Sequence, residues 1–411
     1  MQQQGVHLHD GFGAQHTHQQ ERTLFALALP KNAFQARQRA VEYFYPVARL
    51  YRYGLQFDQA AVGVAALVDP LDDGFGQARE FRAEAHQARH PARRAHRAQA
   101  LLVGNGVQEQ VTREERLDAL AARTGLGPFL DPAGVPIIRH PDIRRQLMRM
   151  KALVDGMRSF TFYIAYLFDL EATADDPAQK ERYKGLIDFL TPVVKAYCSD
   201  RGMEICDMAM NVFGGYGYTR EYPVEQLMRD CKIATIYEGT NGIQAMDLLG
   251  RKLGLKKGEV FMQFLQEVRR TVQIAETLPG LQTLCGRLDQ TLNRYGETAI
   301  FLGKKTMSPD VKMAFAHAHP FLEVTGDIVM AWMLLWRAAT AQPRLAALLD
   351  NADDPAARIA NNKDAAFYDG QIKAATYFIS SQLPVTVGKI NAILEGDASV
   401  ILEAAERSFG G

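Results

Sequence analysis

The sequence predicts an all-α protein. It consists of a helical unit with a glycine-rich turn, then a second helical bundle, both preceded by an N-terminal segment that forms little structure. Three observations lead to this fold class. Apolar residues recur at spacings of three and four over long stretches from residue 136 onward. Glycine and proline separate these stretches. Sustained alternation of apolar and polar residues, which is typical of half-buried strands, is missing from the same part of the sequence.

The overall composition excludes several classes of function. The 411 residues include 47 Lys and Arg against 47 Asp and Glu, so the chain carries no net formal charge. Nucleic acids and anionic membrane surfaces reward a basic partner, and we expect neither as a ligand. No apolar run approaches the roughly 18 residues of a transmembrane helix. The four scattered cysteines predict neither a disulfide framework nor a zinc site. Together with the absence of a signal-peptide pattern, they favour a cytoplasmic location.

The first 133 residues differ in composition from the rest of the chain. Residues 1–130 contain a single lysine, Lys31, but fourteen arginines and fifteen glutamines. The stretch 82–97 offers almost no apolar face in either the helical or the strand period. Two interpretations stay open: a poorly folding segment with a few marginal helices, or a segment that is not the natural partner of the remaining chain. Its histidines are interpreted as part of a solvated tail, and no metal site is predicted.

Two long helices are predicted next, within a unit that covers residues 134–254. Pro141 suits the first turn of a helix, and apolar residues then recur at helical spacing as far as Phe168. Asp175, Asp176 and Pro177 interrupt the pattern. A second helical pattern runs from about residue 179 to the glycines that follow Phe213. A short connection between two long helices predicts that they pack antiparallel.

The residues that indicate chemistry come after the second helix. The stretch NVFGGYGYT, residues 211–219, contains three glycines that let a ligand approach the backbone closely. The stretch IYEGTNGIQ, residues 236–244, places Glu238 between apolar neighbours and a glycine. Apolar neighbours would desolvate the carboxylate and strengthen it as a general base. The alternative is structural, because Glu238 and Thr240 precede a helix and would then only satisfy its free N–H groups.

Residues 134 to about 254 resemble the C-terminal helical domain of the acyl-CoA dehydrogenases. The segments FGGYGYTREYPVEQLMRD and YEGTNGIQ carry the resemblance, and HPDIRRQLMRMKALVDGMR is similar to the preceding helix of the larger members. The tail, residues 255–411, resembles the subfamily with an extra C-terminal helical domain, which includes enzymes acting on methylthiopropionyl-CoA. The chain departs from the family at Asn211, often Gln, and at Gly242, where the family has a polar residue.

The resemblance implies FAD-dependent α,β-dehydrogenation of an acyl-CoA thioester, with electrons passed to an electron-transfer flavoprotein. Glu238 would be the base that removes the α-proton, and its backbone N–H would help to bind the thioester carbonyl. The resemblance assigns substrate contacts to Tyr237 and Gly239, and cofactor contacts to Asn211, Gly214, Gly215 and Thr240. Because residues 211–215 match a segment that contacts the FAD of a neighbouring subunit, a homo-oligomer is implied.

Features of the family's N-terminal and middle β domains are missing from this sequence. It contains no Thr-Glu-Pro turn and no Arg-x-x-Phe-Gly helix, and its two tryptophans, Trp332 and Trp336, lie far downstream. We therefore expect the chain to keep the base and to lose most of the flavin and acyl-CoA pocket. The alternative function is that of a non-catalytic helical protein that retains the family's assembly surface.

Residues 255–411 are predicted to form a bundle of four or five helices with a structural role. Trp332 and Trp336 lie four residues apart and share one helical face, which favours a core contact. Apolar periodicity places the helices near residues 260–274, 281–302, 311–341, 363–381 and 385–394.

Overall fold

Over the residues that the structure describes, the chain folds into helices alone. The computed structural model describes residues 136–396 and 398–410. Every regular element in these ranges is helical and none is a strand, which confirms the predicted all-α fold. The predictions for residues 1–133 lie outside the described residues.

The first two helices form the predicted hairpin. Helix α1 covers Pro141–Thr173 and helix α2 covers Pro177–Phe213. The Asp176 carboxylate accepts a hydrogen bond from the Ala178 N–H at 3.0 Å and so caps α2. Gly214, at φ +64°, ends α2. The hairpin encloses apolar side chains at helical spacing, among them Met150, Phe160, Ile164, Leu167, Phe189, Leu190 and Val193.

Shorter elements follow α2 and lead to the tail. A 3₁₀ turn covers Gly214–Tyr218, and helix α3 covers Val224–Ile233. Helix α4 covers Asn241–Asp247 and continues through a π-helical turn over Leu248–Lys252. None of the described helices combines the length and the apolar character needed to cross a bilayer.

The tail contains eight further helices within the described residues. They are α5 (Glu259–Glu276), α6 (Gln282–Thr306), α7 (Val311–Ala316), α8 (Ala318–Leu349), α9 (Pro355–Asn361), α10 (Lys363–Tyr377, extended by a π-helical turn over Phe378–Gln382), α11 (Leu383–Glu395) and α12 (Ser399–Glu403).

The single helix expected over residues 311–341 is divided in two. The break lies at His317, whose N–H donates to the Ala314 carbonyl at 3.1 Å and closes α7 in a 3₁₀ manner. Helix α8 begins immediately afterwards, and Pro320 lies in its first turn, where a missing N–H costs no helical hydrogen bond. Apolar periodicity alone could not reveal the break, because the apolar residues of α7 and α8 follow one helical spacing in the sequence.

Helix α8 lies at the centre of the described fold. It packs against α1 and α2 on one side and against α5, α6, α10 and α11 of the tail on the other. Gly326 allows a close approach to α2, because a Cβ at this position would lie 1.9 Å from the Tyr197 ring. The Trp332 indole N–H donates to Thr271 Oγ1 at 2.7 Å, and its ring stacks on Trp336 at 6.3 Å. Trp332 is buried as expected, whereas Trp336 is 38% exposed, so the expected core contact holds for Trp332 alone.

A buried carboxylate joins the first hairpin to the last helix of the bundle. Asp327 of α8 accepts hydrogen bonds from the Tyr197 hydroxyl at 2.7 Å and the Thr386 hydroxyl at 3.0 Å. Lys389 Nζ lies 3.1 Å from the same carboxylate. Because Tyr197 lies on α2 whereas Thr386 and Lys389 lie on α11, these bonds fix α2, α8 and α11 relative to one another.

Candidate functional site

The loop between α3 and α4 holds a glutamate in an uncommon backbone conformation. Glu238 has φ +59° and Gly239 has φ +83°. A left-handed conformation is easy for glycine but costs about 1 kcal/mol or more for a residue with a side chain. The surrounding structure must therefore hold Glu238 in place. The Gln244 side-chain amide contributes by donating to the Glu238 carbonyl at 3.1 Å.

The inner side of this loop is bonded to the middle of α2. Lys195 Nζ donates to the Gly239 carbonyl at 2.7 Å and to Asn241 Oδ1 at 2.8 Å. Asn241 is only 5% exposed, and its amide nitrogen donates to Ser199 Oγ at 2.9 Å and to Asp200 Oδ1 at 2.7 Å. Every polar group of the Asn241 side chain is thus satisfied, as a buried amide requires.

Two further features tighten the inner side. The Asn241 N–H donates to the Thr235 carbonyl at 3.1 Å, which closes the loop on itself. Burial lowers the pKa of Lys195, while the negative charges of Asp200 and Glu238 act in the opposite direction. Lys195 therefore lies within electrostatic reach of Glu238 although it hydrogen-bonds only the loop's inner side.

The outer side of the loop presents Glu238 itself. Its side chain is exposed, and neighbouring Ile236 and Ile243 are 51% and 54% exposed. Neither the carboxylate nor the backbone N–H of Glu238 has a hydrogen-bond partner among residues 136–396 and 398–410. The expectation that apolar neighbours desolvate the carboxylate is therefore wrong for this structure, because the apolar neighbours also point outward.

Tyr237 lies at the boundary between the two sides. It is partly buried, and desolvation raises the pKa of its hydroxyl. The negative charge of Glu238 raises the pKa of Tyr237 further. The two side chains therefore influence each other electrostatically, which makes Tyr237 a reporter of the charge on Glu238.

Thr240 has the structural role that the sequence left open. Its hydroxyl accepts from the Ile243 N–H at 3.3 Å and caps α4. Glu238 takes no part in this cap. The capping interpretation thus applies to Thr240 and not to Glu238.

The glycine-rich turn offers an open surface at the end of α2. Asn211 is exposed, and a Cβ built on Gly214 or Gly215 would meet no other atom within 4 Å. Gly217 differs, because a Cβ there would lie 2.6 Å from the Met210 carbonyl oxygen. The first two glycines therefore leave space for a ligand, whereas the third allows the turn to pack against α2.

The predicted site residues fall into two groups that the structure does not bring together. Tyr237, Glu238, Gly239 and Thr240 lie in one loop. That loop is bonded to α2 at Lys195, whereas the glycine-rich turn begins at Gly214. At 1.5 Å of rise per helical residue, Lys195 and Gly214 are about 28 Å apart, and Asp200, which is also bonded to the loop, lies about 16 Å from Asn211.

Sequence reasoning missed the residues that position the loop. Lys195, Ser199 and Asp200 lie on α2 more than 40 residues before Asn241. Lys195 and Ser199 are one helical turn apart, so they form a polar stripe among the buried residues in the middle of α2. That stripe was the available signal, because polar groups on a buried face need a partner.

Comparisons with known proteins cover both helical parts of the chain. A family model described as "Acyl-CoA dehydrogenase, C-terminal domain" matches residues 131–253. A second, described as "Acetyl-CoA dehydrogenase C-terminal like", matches residues 264–402.

Individual relatives share this likeness over part of their length. A butyryl-CoA dehydrogenase of Syntrophomonas wolfei is 30% identical over 298 residues, which are 71% of this chain and 46% of that protein. A 3-methylmercaptopropionyl-CoA dehydrogenase of Ruegeria pomeroyi is 34% identical over 213 residues, 52% of this chain and 36% of that protein. A solved structure, Caenorhabditis elegans ACDH-11 in complex with C11-CoA, aligns with a TM-score of 0.48 at 16% identity, over 64% of this chain and 42% of that one. The chain thus spans less than half the length of these relatives.

Proposed function

Because the chain belongs to the acyl-CoA dehydrogenase family and carries its C-terminal domains, we propose that it takes part in the α,β-dehydrogenation of an acyl-CoA thioester, with Glu238 as the base. The observation that supports this proposal is the contrast between the fixed backbone of Glu238 and its unbonded polar groups. Its backbone is held in a left-handed conformation, while its carboxylate and N–H have no hydrogen-bond partner within the described residues.

The proposed chemistry uses both unpaired groups of Glu238. Removal of a proton next to a thioester needs a carboxylate that can reach the α-carbon. The negative charge that then develops on the thioester oxygen needs a fixed hydrogen-bond donor, and the Glu238 N–H is such a donor. Hydrogen bonds of Lys195 and Asn241 join the inner side of the loop to α2. The Glu238 carboxylate and the Glu238 N–H therefore keep their positions when the substrate binds.

FAD, when bound, supplies the acceptor for the hydride that leaves the β-carbon. The open backbone at Gly214 and Gly215 fits close approach by such a ligand, and Asn211 and Thr240 would add polar contacts. One flavin ring cannot contact both groups of one chain, since the points of α2 that belong to them lie about 16 to 28 Å apart. The proposal therefore requires a second copy of the chain, whose glycine-rich turn lies near the first copy's Glu238 loop.

Further parts of the proposal rest on family membership and on the sequence patterns described above. They are the transfer of electrons to an electron-transfer flavoprotein, the cytoplasmic location, and the division into units at residues 134–254 and 255–411.

The test replaces Glu238 in a completed enzyme. The chain is joined to the portion of the Syntrophomonas wolfei butyryl-CoA dehydrogenase that it does not match, loaded with FAD, and assayed with butyryl-CoA and a dye acceptor. Loss of a general base costs about 10²–10⁴-fold in rate. We expect that loss for Glu238→Gln. Glu221→Gln, which changes an exposed carboxylate in the turn before α3, should leave the rate unchanged. Equal rates for the two variants would assign the base to another residue.

The alternative, a non-catalytic helical protein, is favoured by one observation. The helices of the described residues share one continuous core. The visible spectrum of the purified chain distinguishes the two functions. A flavin band near one per chain supports the dehydrogenase, whereas a colourless protein that also fails to take up added FAD supports the alternative.

A further inference from the structure

Two of the four cysteines meet between α2 and α3. Cys206 of α2 and Cys231 of α3 are 25 positions apart in sequence, but their sulfur atoms are 3.5 Å apart and share a hydrogen bond. Gly202, one turn earlier on α2, lies beside Cys231, since a Cβ there would be in ordinary contact with its sulfur at 4.0 Å. Cys198 and Cys285 have no such contact with another thiol.

The shared hydrogen bond makes the two thiols unequal. It lowers the pKa of Cys206, against the opposing effect of burial, and raises the pKa of Cys231. Burial raises the pKa of Cys198 to about 12 and that of Cys285 to about 11. Because the thiolate is the form that attacks an oxidant, Cys206 is the member of the hydrogen-bonded pair that is suited to attack first.

Helix α3 is held to the rest of the fold by few side chains. Only Val224 and Cys231 of its ten residues are buried. Cys206 and Cys231 are 5% and 4% exposed, so an oxidant reaches them when α3 moves away from α2. A short helix with so few buried contacts belongs to the part of a protein that opens locally at low cost.

We propose that Cys206 and Cys231 are a reversible oxidation site, at which a hydroperoxide converts the two thiols into a disulfide. The Cys206 thiolate attacks a peroxide oxygen, the O–O bond breaks, one water or alcohol leaves, and a sulfenic acid forms on Cys206. Cys231 then attacks the Cys206 sulfur, the S–O bond breaks, and a water leaves. The two thiols lose two electrons in total, and the hydroperoxide gains them. A dithiol reductant reverses the change by exchange.

The disulfide would act on the segment that leads to Glu238. The backbone from α3 into the loop is continuous in its hydrogen bonds: the Ala234 N–H donates to the Cys231 carbonyl at 3.1 Å, and the Tyr237 N–H donates to the Ile233 carbonyl at 3.1 Å. Closing the sulfur atoms from 3.5 Å to the roughly 2.05 Å of a bond requires only a small shift. The covalent link would therefore tie the start of the Glu238 loop to α2.

The test uses the full chain and hydrogen peroxide at low molar excess. After quenching, the chain is denatured and alkylated, its mass is measured and its peptides are mapped. We expect alkylated thiols to fall from four to two, with one linked peptide pair joining Cys206 to Cys231. Dithiothreitol should restore four. Hydrogen exchange in α3 and in residues 234–237 should be slower in the oxidised chain, which tests the effect on the loop.

Matched variants distinguish the pair from the other cysteines. Cys198→Ser should still form the linked pair, whereas Cys206→Ser should retain all its remaining thiols. Three results would overturn the proposal: four thiols after treatment, a sulfinic or sulfonic acid on Cys206 without a linked peptide, or a disulfide between two chains. The number of alkylated thiols in the unsubstituted chain, which its mass gives, tests the proposal even if a variant fails to fold. The proposal does not depend on Glu238 being a base, so the two can fail separately.

Discussion

The two sides of the Glu238 loop differ in their hydrogen bonds and in their exposure to solvent. On the inner side, Lys195 and Asn241 make direct hydrogen bonds between α2 and the loop, and Asn241 is almost fully buried. On the outer side, Glu238 is exposed, and its neighbour Ile243 is about half exposed. The inner side of the loop is therefore fixed to α2, whereas its outer side is open to solvent.

This difference explains how a glutamate can persist at φ +59°. A strained backbone is stable only where its surroundings determine it, and here the bonds come from Lys195, Gln244 and the Asn241 backbone. The Glu238 carboxylate is exposed and has no hydrogen-bond partner among the described residues. A group held in this way is prepared to interact with something outside the described fold.

The largest expected effect comes from breaking the inner side. Asn241→Ala removes one hydrogen-bond partner from each of Lys195, Ser199 and Asp200, and it leaves Asp200 Oδ1 without a hydrogen bond. We expect the free energy of unfolding to fall by about 3 kcal/mol. Asn211→Ala, on the exposed end of α2, should change it by less than about 0.5 kcal/mol. Denaturant titration measures both, and similar losses in the two variants would remove the distinction between the sides.

A smaller effect is expected in the glycine-rich turn. Gly217→Ala places a methyl group 2.6 Å from the Met210 carbonyl, which is backbone and cannot turn away, so we expect a loss of about 2 kcal/mol. Gly215→Ala faces open space and should be nearly neutral. Thermal unfolding of both variants checks this. A destabilised Gly215→Ala would show that this part of the turn packs against the chain and is not open to a ligand.

The smallest effect concerns charge at the outer side. The pKa of Tyr237 is raised by burial and by Glu238, so Glu238→Gln should move it back toward the ordinary value of about 10. A raised tyrosine pKa contributes stability below about pH 10, and this contribution is lost as pH rises through the folded value. Alkaline absorbance titration, taken as the difference from Tyr237→Phe, measures the shift. Glu221→Gln should leave it unmoved, and an unchanged value in Glu238→Gln would place the two groups too far apart to interact.

Much of the fold follows from local patterns in the sequence. The apolar spacing of α1 and α2, the prolines that open them and the glycine at Gly214 predict the hairpin, because these signals act within a few residues. The break at His317 was not predictable in the same way. Helices α7 and α8 keep one apolar period across it, and a 3₁₀ closure leaves that period intact.

The site was predictable in identity but not in environment. Glu238 stands out beside Gly239 in the sequence, whereas its holding residues are about 40 positions away on α2, and nothing local links them to the loop. The apolar residues next to Glu238 in the sequence predicted that its carboxylate is buried. In the structure Ile236 and Ile243 lie on the outer side, whereas the buried Asn241 bonds to α2.

Hydrogen exchange in residues 236–244 tests most directly whether the loop is held from its inner side alone. The measurement compares the unchanged chain with Glu238→Gln and Asn241→Ala. We predict that Glu238→Gln leaves exchange of these amides unchanged, because its side chain makes no bond within the described fold. Asn241→Ala should speed it by about tenfold or more, as the loss of about 1.4 kcal/mol or more of local stability implies. Faster exchange in Glu238→Gln, or unchanged exchange in Asn241→Ala, would contradict this account of the loop.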